Sequence, residues 1–247
     1  MGSRTWRLLV VGALGACGGA LPAPEADRRS SLDRVPPAVR AAYGRRRAGL
    51  TPALVSLRSI VGRKSGAIIE PGGLILTCLH GSTAELTEAV TFSDGSVGTA
   101  RLRAAAPDLD VALLEILRPT GPFPSLGFAR SADAGEWTFL ARPFSSGEED
   151  AAGRPAVVGV PLAYGPDLYV HSGLLVGLPA FPGDSGAPLL NAQCEIVGVA
   201  LGAARRSGTG TLSGASAAGI LDALPSLRQG RSLAPLPGAM QVEAFLR

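Results

Sequence analysis

The sequence is poor in the residues that metal sites and disulfide scaffolds require, and its positive charges nearly balance its negative ones. It contains a single lysine, Lys64, only two histidines and three cysteines, and charged residues make up 17% of the 247 positions. A formal net charge of +3 is too small to indicate nucleic-acid binding. With no CxxC pair there is no ligand set for structural zinc, and three cysteines are too few for a disulfide framework. We therefore expect no metal, no cofactor and no nucleic-acid partner.

Aromatic residues are also scarce, at 5%, whereas 33 glycines and 20 prolines accompany a hydrophobic content of 46%. This composition favours short strands and tight turns over helices. Apolar segments separated by turn residues predict one group of strands at 53–59, 65–70, 74–78, 89–92, 97–105 and 111–116. They predict a second group at 137–141, 156–162, 168–172, 187–190, 196–202 and 209–213. Two groups of six indicate an all-β protein of two barrels, closed by a short helix at 217–224.

The N-terminal apolar run, 8–16, is too short to remain as a membrane-spanning helix. It follows two arginines and ends in Leu14-Gly15-Ala16-Cys17, which resembles the lipobox of bacterial lipoproteins. That resemblance implies removal of a signal peptide, 1–16, and acylation of Cys17, which would hold the protein on a membrane. The alternative is an ordinary secretory signal cut near Ala20. Both interpretations place the mature protein outside the cytoplasm, in the cell envelope or secreted.

The next segment, 17–51, contains several prolines and most of the excess positive charge. Seven arginines lie between Arg28 and Arg47, and we expect a solvated tether with at most a helical turn at 38–43. The run Arg45-Arg46-Arg47 could contact anionic lipid headgroups, or it could belong to a soluble linker.

A candidate nucleophile lies in the turn Gly183-Asp184-Ser185-Gly186. Amide hydrolysis by a serine needs a base for its proton, a carboxylate that orients the base, and donors for the oxyanion. The glycine turn can direct the N–H groups of Gly183 and Ser185 into one concavity, and Gly186 removes bulk beside the serine. By itself this tetrapeptide also suits an ordinary turn.

The candidate base, His80, directly follows an apolar strand, and the candidate carboxylate precedes another. Asp110 adjoins the apolar run 111–116, where an unpartnered carboxylate would be costly to bury. Asp108 competes with it, but Asp110 is the nearer to the strand. His80, Asp110 and Ser185 are separated by 30 and 75 residues.

Three motifs in this order resemble the chymotrypsin-like superfamily, nearest to bacterial HtrA/Deg-type trypsin-like peptidases: SGAIIEPGGLILTCLH, DLDVALLEI, and PGDSGAPLL followed by CEIVGVALG. The resemblance covers about 52–225, with the tail 226–247 outside it and no PDZ domain expected. It implies two six-stranded antiparallel barrels with the cleft between them, His80 as general base and acid, Asp110 as its orienting group, and Ser185 as the acylated nucleophile. Gly81 and Ala187 depart from residues common in the family.

The resemblance also implies a substrate groove. Leu201 and Gly202 would lie beside the bound peptide and Pro179 near the base of the specificity pocket, where no acid indicates a preference for arginine or lysine. His171 could contribute to this pocket or be a strand residue with a local hydrogen bond. Cys78 is expected as a buried free thiol and Cys194 as an exposed one, unpaired with each other. Ile60-Val61-Gly62 lies too close to His80 to act as an activated N-terminus, which leaves Asp184 without an assigned partner.

The function indicated is therefore an exported, lipid-anchored serine endopeptidase that cleaves polypeptides of the cell envelope. Two alternatives remain at this stage. The same fold could serve as a binding or scaffold protein without turnover, or the same residues could act as an esterase.

Overall fold

The computed structural model describes residues 31–60, 62–82, 87–130, 132, 135–145, 150–163, 169–178, 180–203 and 211–233, without the side chains of 156–163, 169–171 and 203. The predicted signal peptide, Cys17, Pro179 and the side chain of His171 lie outside this description. None of the helices in these ranges is long and apolar enough to cross a membrane.

Six strands form a closed antiparallel barrel: β1 (Leu54–Ser59), β2 (Gly62–Glu70), β3 (Leu74–Cys78), β4 (Glu88–Thr91), β5 (Val97–Ala106) and β6 (Val111–Leu117). Their order around the barrel is β1-β2-β3-β6-β5-β4. All five residues of β3 are buried, which explains its continuous apolar sequence. β3 and β6 pair with Cys78 opposite Val111, so the segments that follow β3 and precede β6 meet at one end of the barrel.

The second half is a seven-stranded antiparallel sheet: β7 (Thr138–Leu140), β8 (Ala151–Gly153), β9 (Pro155–Ala163), β10 (Tyr169–Val176), β11 (Pro188–Leu190), β12 (Ile196–Ala203) and β13 (Leu212–Ser216). The order is β8-β7-β11-β12-β13-β10-β9. The all-β prediction with two barrel-like halves is confirmed. The strand count of the second half was wrong by one, because β8 consists of small residues without apolar alternation.

A helix, α1 (Pro37–Leu50), precedes the first barrel and packs on the rest of the fold. It begins with proline in its first turn, where the missing N–H costs nothing. Tyr43 is buried and stacks on Phe139 with ring centroids 3.8 Å apart. Leu32 and Val35 are buried as well. The prediction of a solvated tether is therefore wrong for residues 31–50, which we call the N-terminal arm.

The arm also overturns two predictions about single residues. Arg47 is completely buried, so it cannot contact lipid headgroups. Cys194 is buried rather than exposed, with its thiol 3.8 Å from the Tyr43 carbonyl oxygen. Burial raises the pKa of Cys194 to about 11. Cys78 and Cys194 are both free thiols.

The last helix, α2 (Ala217–Arg228), continues past the point where the sequence predicts its end. Ser216 caps it by accepting a hydrogen bond from the Gly219 N–H. Pro225 lies inside the helix and removes one backbone donor, yet Leu227 remains buried and holds the last turn. The following residues contact β5, where the Leu233 N–H donates to the Ala105 carbonyl at 2.9 Å. The packed part of the chain therefore extends beyond residue 225.

Candidate active site

His80 lies in the tight turn after β3, close to Asp110. The turn closes with a hydrogen bond from the Ser82 N–H to the Leu79 carbonyl at 2.9 Å. Gly81 has φ of +78°, a conformation that side chains disfavour, which accounts for glycine after the histidine. The end of β3 thus presents the imidazole at the edge of the barrel, with a third of the side chain (33%) exposed.

Asp110 holds the turn that carries His80 by three contacts, two of them to His80 itself. Its carbonyl accepts from the Leu79 N–H at 2.8 Å, and its Oδ1 accepts from the His80 N–H at 2.7 Å. Its Oδ2 pairs with Nδ1 of His80. Asp110 adopts the left-handed conformation, with φ of 50°, after the 3₁₀ turn Pro107–Leu109. Of the two carboxylates considered from the sequence, Asp110 makes this contact.

The pKa of His80 is raised well above the ordinary 6.5 of histidine. Burial, the largest single influence, would lower the pKa because it disfavours the imidazolium. Attraction by the Cys78 sulfur and the Asp110 carboxylate, with hydrogen bonds to both, outweighs burial. The protonated form of His80 is therefore stabilised, which makes the neutral imidazole a stronger base than an ordinary histidine.

Ser185 lies in a tight loop between β10 and β11, residues 181–187, which we call the nucleophile loop. Gly183 and Gly186 both have positive φ, at 94° and 80°. A Cβ atom on Gly186 would stand 2.1 Å from the Ser65 carbonyl oxygen, so no side chain fits there. Within the described part of the chain, the N–H groups of Gly183 and Ser185 donate to no protein acceptor. They are available as donors for an incoming anion.

The Ser185 hydroxyl donates to the Leu201 carbonyl oxygen at 3.1 Å. This contact brings β12 beside the nucleophile loop, at the bulge where the β12–β13 register shifts between Ala200 and Gly202. Leu201 as a whole residue is buried, and its carbonyl oxygen is the acceptor of the Ser185 hydroxyl. The Gly202 carbonyl accepts from the Ser213 hydroxyl at 2.9 Å.

Ser65 of β2 connects the first barrel to the nucleophile loop, a role that the sequence did not indicate. Its N–H donates to the Ser185 carbonyl, and its hydroxyl donates to the Gly183 carbonyl, both at 2.8 Å. Its own carbonyl accepts from the Thr77 hydroxyl at 2.7 Å. In the sequence, Ser65 is simply a serine before Gly66, a pair that also occurs in strands far from any active site.

Asp184, left without a partner by the sequence, is buried and held from two sides. Its Oδ2 accepts from the Phe181 N–H at 2.8 Å, and Arg142 Nε lies 4.0 Å from its Oδ1. Arg142 follows β7, 42 positions before Asp184 in the sequence. A partner so distant has no local signal.

Lys64 supports the His80 turn from inside the first barrel. Its ammonium contacts the Cys78 carbonyl at 3.4 Å, the Ser82 hydroxyl, and Glu88 Oε1 at 3.0 Å. Lysine and glutamate are both buried. Since Cys78 and Ser82 flank His80, this pair braces both sides of the turn.

No group of three or more His, Cys, Asp or Glu side chains within the described ranges is arranged to hold a metal ion. The chemistry available here consists of an imidazole paired with a carboxylate, a serine hydroxyl in a glycine loop, and two free backbone donors. This combination suits acyl transfer.

The chain is similar in sequence to proteins named as serine proteases. The chain is 31% identical over 148 residues to a Synechocystis sp. protein named serine protease HhoA. The matched region covers 58% of this chain and 37% of that protein. It is 34% identical over 137 residues to a DegP-like periplasmic serine endoprotease of Ectopseudomonas mendocina, covering 55% and 28%. The chain thus spans about a third of the length of these relatives.

Among solved structures, the inactive form of the Rv3671c protease shares the fold. The TM-score is 0.61 at 24% identity, over 78% of this chain and 96% of that one. The trypsin-like peptidase domain family matches residues 64–199, a range that contains His80, Asp110 and Ser185. The chain therefore belongs to the trypsin-like peptidase family.

Proposed function

We propose that this chain is a serine endopeptidase in which Ser185 is the nucleophile, His80 the general base and acid, and Asp110 the group that orients the histidine. The observation that carries the proposal is the pairing of Asp110 with both the backbone N–H and Nδ1 of His80. Nδ1 bound to a carboxylate carries the proton, so Nε2 is the ring nitrogen that accepts a proton in this proposal.

In the first step the Ser185 Oγ bonds to the scissile carbonyl carbon and its proton passes to His80 Nε2. For this the hydroxyl must rotate away from the Leu201 carbonyl, a change of one side-chain torsion. The C–N bond then breaks as His80 returns the proton to the leaving amine. Water attacks the acyl-enzyme in the same way and regenerates Ser185.

The oxyanion formed in both halves of the reaction would accept hydrogen bonds from the Gly183 and Ser185 N–H groups. Donors of this kind are fixed before the reaction and need no reorganisation when charge develops. Removal of one such donor lowers kcat by about 10² to 10³-fold in comparable sites.

The substrate we infer is an extended polypeptide that pairs with the backbone of β12 at Leu201 and Gly202, with its P1 side chain directed toward Pro179. Backbone pairing of this type gives affinity without strict sequence requirements. We place the reaction in the cell envelope, with the protein held on a membrane through lipid on Cys17. The export signal and the periplasmic name of the DegP-like relative support this location.

A second candidate function is a binding protein without turnover. The Ser185 hydroxyl donates a hydrogen bond to the Leu201 carbonyl oxygen. A serine held in this way is what a site without turnover would show. A fluorophosphonate probe distinguishes the two functions, because it reacts only with an activated serine.

We expect the probe to label the mature wild-type protein at Ser185, as located by peptide mass spectrometry. Ser185→Ala should abolish labelling, and Ser96→Ala, in the exposed turn between β4 and β5, should retain it. Failure of wild-type labelling beside a reactive control peptidase would favour the binding protein. Labelling that persists in Ser185→Ala would overturn the residue assignment.

The lipid anchor has a separate test. Intact-mass measurement of protein purified from a bacterial membrane should give an acylated N-terminal cysteine at Cys17, and Cys17→Ser should move the protein to the soluble fraction. An unmodified N-terminus near residue 21 would instead support the ordinary secretory signal.

A further inference from the structure

The N-terminal arm is joined to the second half of the fold by one completely buried ion pair. Arg47 Nε lies 2.7 Å from Asp150 Oδ2, with side-chain exposures of 1% and 0%. The same guanidinium donates to the Thr51 hydroxyl at 3.0 Å and to the Arg142 carbonyl at 2.8 Å. Arginine suits this position because its planar group offers several donors in fixed directions.

Asp150 fixes the same segment from the other side. It accepts from the Tyr43 hydroxyl at 2.6 Å, from the Ser145 hydroxyl at 2.5 Å and from the Arg142 N–H at 3.3 Å. The Arg142 carbonyl is thus held by Arg47 of the arm, and the Arg142 N–H is held by Asp150, the ion-pair partner of Arg47. A buried charge pair of this kind resists displacement because either partner alone would be left without compensation.

The Arg142 side chain extends from this fixed backbone toward the nucleophile loop. Its Nε lies 4.0 Å from Asp184 Oδ1, and the Asp184 side chain is only 3% exposed. The other carboxylate oxygen accepts from the Phe181 N–H, and the Asp184 carbonyl accepts from the Ala187 N–H. Asp184 is therefore the centre around which the loop folds, with Gly183 and Ser185 on either side.

We propose that the N-terminal arm positions the oxyanion donors of the peptidase. Arg47 and Arg142 are positioning residues in this proposal: Arg47 fixes the Arg142 backbone, Arg142 balances the Asp184 charge, and Asp184 holds the Gly183 and Ser185 N–H groups in place. The inference rests on the proposed function, because it concerns the donors for the oxyanion. An arm that only adds stability would leave the chemical step unchanged once the protein is folded.

The test uses p-nitrophenyl acetate, a small acyl substrate that requires no knowledge of the preferred peptide. Transfer of its acetyl group to Ser185 releases p-nitrophenolate, so rapid mixing separates the dissociation constant from the acylation rate constant. The variants are Arg47→Lys, which keeps the charge but loses the fork of donors, Arg142→Met, and the double variant. Arg40→Met is the control, since Arg40 is an exposed arginine of the same helix, paired with Asp33.

We expect each single variant to lower the acylation rate constant about tenfold with the dissociation constant unchanged, because displaced donors lose part of their effect on the oxyanion. The acylation rate constant of the double variant should be close to that of each single variant, because both substitutions disrupt the same series of contacts. Arg40→Met should match wild type. Near-UV circular dichroism confirms that each variant is folded, and Arg142→Met supplies the test if Arg47→Lys does not fold.

Three results would overturn the proposal. They are unchanged acylation in folded Arg142→Met, a rise in the dissociation constant alone, or a double variant whose loss is the product of the two single losses. Absence of acylation in the wild type would overturn the proposed function and this inference together. Normal wild-type acylation with unaffected variants would overturn this inference alone.

Discussion

At the residue scale, Ser65 and Gly186 form the contact through which the first barrel meets the nucleophile loop. Gly186 leaves no room for a Cβ atom, and Ser65 donates to the carbonyls of Gly183 and Ser185. The sequence explained Gly186 correctly as a residue that removes bulk. It missed Ser65, because a hydroxyl that acts across the interface between two halves leaves no pattern in its own strand.

Replacing Ser65 with alanine should lower kcat about tenfold while KM stays the same, since the Gly183 carbonyl loses a fixed partner and the loop that carries the Gly183 N–H is held less firmly. Steady-state hydrolysis of a peptide or ester substrate measures this. Ser65→Thr keeps the hydroxyl and should restore most of the rate. A higher KM with unchanged kcat would show that Ser65 acts in substrate binding instead.

The pH dependence of acylation depends on His80, whose pKa is raised by Cys78 and Asp110 against the opposite effect of burial. Activity requires neutral His80, so the acid limb of the pH–rate profile should lie above pH 6.5. Cys78→Ala removes one stabilising group from the imidazolium and should move this limb to lower pH. Cys194→Ala, which alters a buried thiol beside α1, should leave it in place. An acid limb that is unmoved or higher in Cys78→Ala would contradict this explanation.

At the scale of elements, the first barrel was predictable and the N-terminal arm was not. β3 and β6 follow from apolar runs bounded by turn residues, and their pairing places His80 beside Asp110. The amphipathic signal of α1 is weak, because one of its two buried side chains is an arginine. That arginine is Arg47, and its partner Asp150 lies 103 residues away. No residue near Arg47 in the sequence therefore indicates that it is buried.

Asp150→Asn should therefore lower the free energy of unfolding by about 3–5 kcal/mol, since it leaves the buried Arg47 charge without its counter-ion. Urea denaturation followed by tryptophan fluorescence measures the change. Asp33→Asn is the matched control, because the Asp33–Arg40 pair lies in the same arm but is largely exposed. Equal stability of the two variants would mean that the buried pair contributes little to the docking of α1.

At the scale of the whole molecule, the folded unit begins before the position that the family motifs indicate. The motifs extend from about 52 to 225, whereas buried residues extend from Ser31 to Leu227. The motifs describe the barrels and the proposed triad because those features have short, regular patterns. The motifs carry no information on the arm, because its contacts with β7 and Asp150 join residues that are far apart in the sequence.

A shortened chain that begins at residue 31 should consequently unfold in one cooperative transition close to that of the mature protein. A chain that begins at residue 52 lacks the cover over Phe139 and the counter-ion of Asp150, and it should melt at a lower temperature and bind more of a hydrophobic dye. Differential scanning calorimetry provides the comparison. Equal midpoints for both chains would show that the arm is dispensable for the fold.

The burial of Lys64 has a practical consequence for anyone who labels this protein. Because it is the only lysine and its ammonium is paired with Glu88 inside the first barrel, the folded molecule presents no side-chain amine to solvent. Amine-directed cross-linkers and dyes should leave the native side chains untouched. The rate at which an isotope-coded amine reagent is incorporated at Lys64 would then measure how often the barrel that holds His80 opens to solvent.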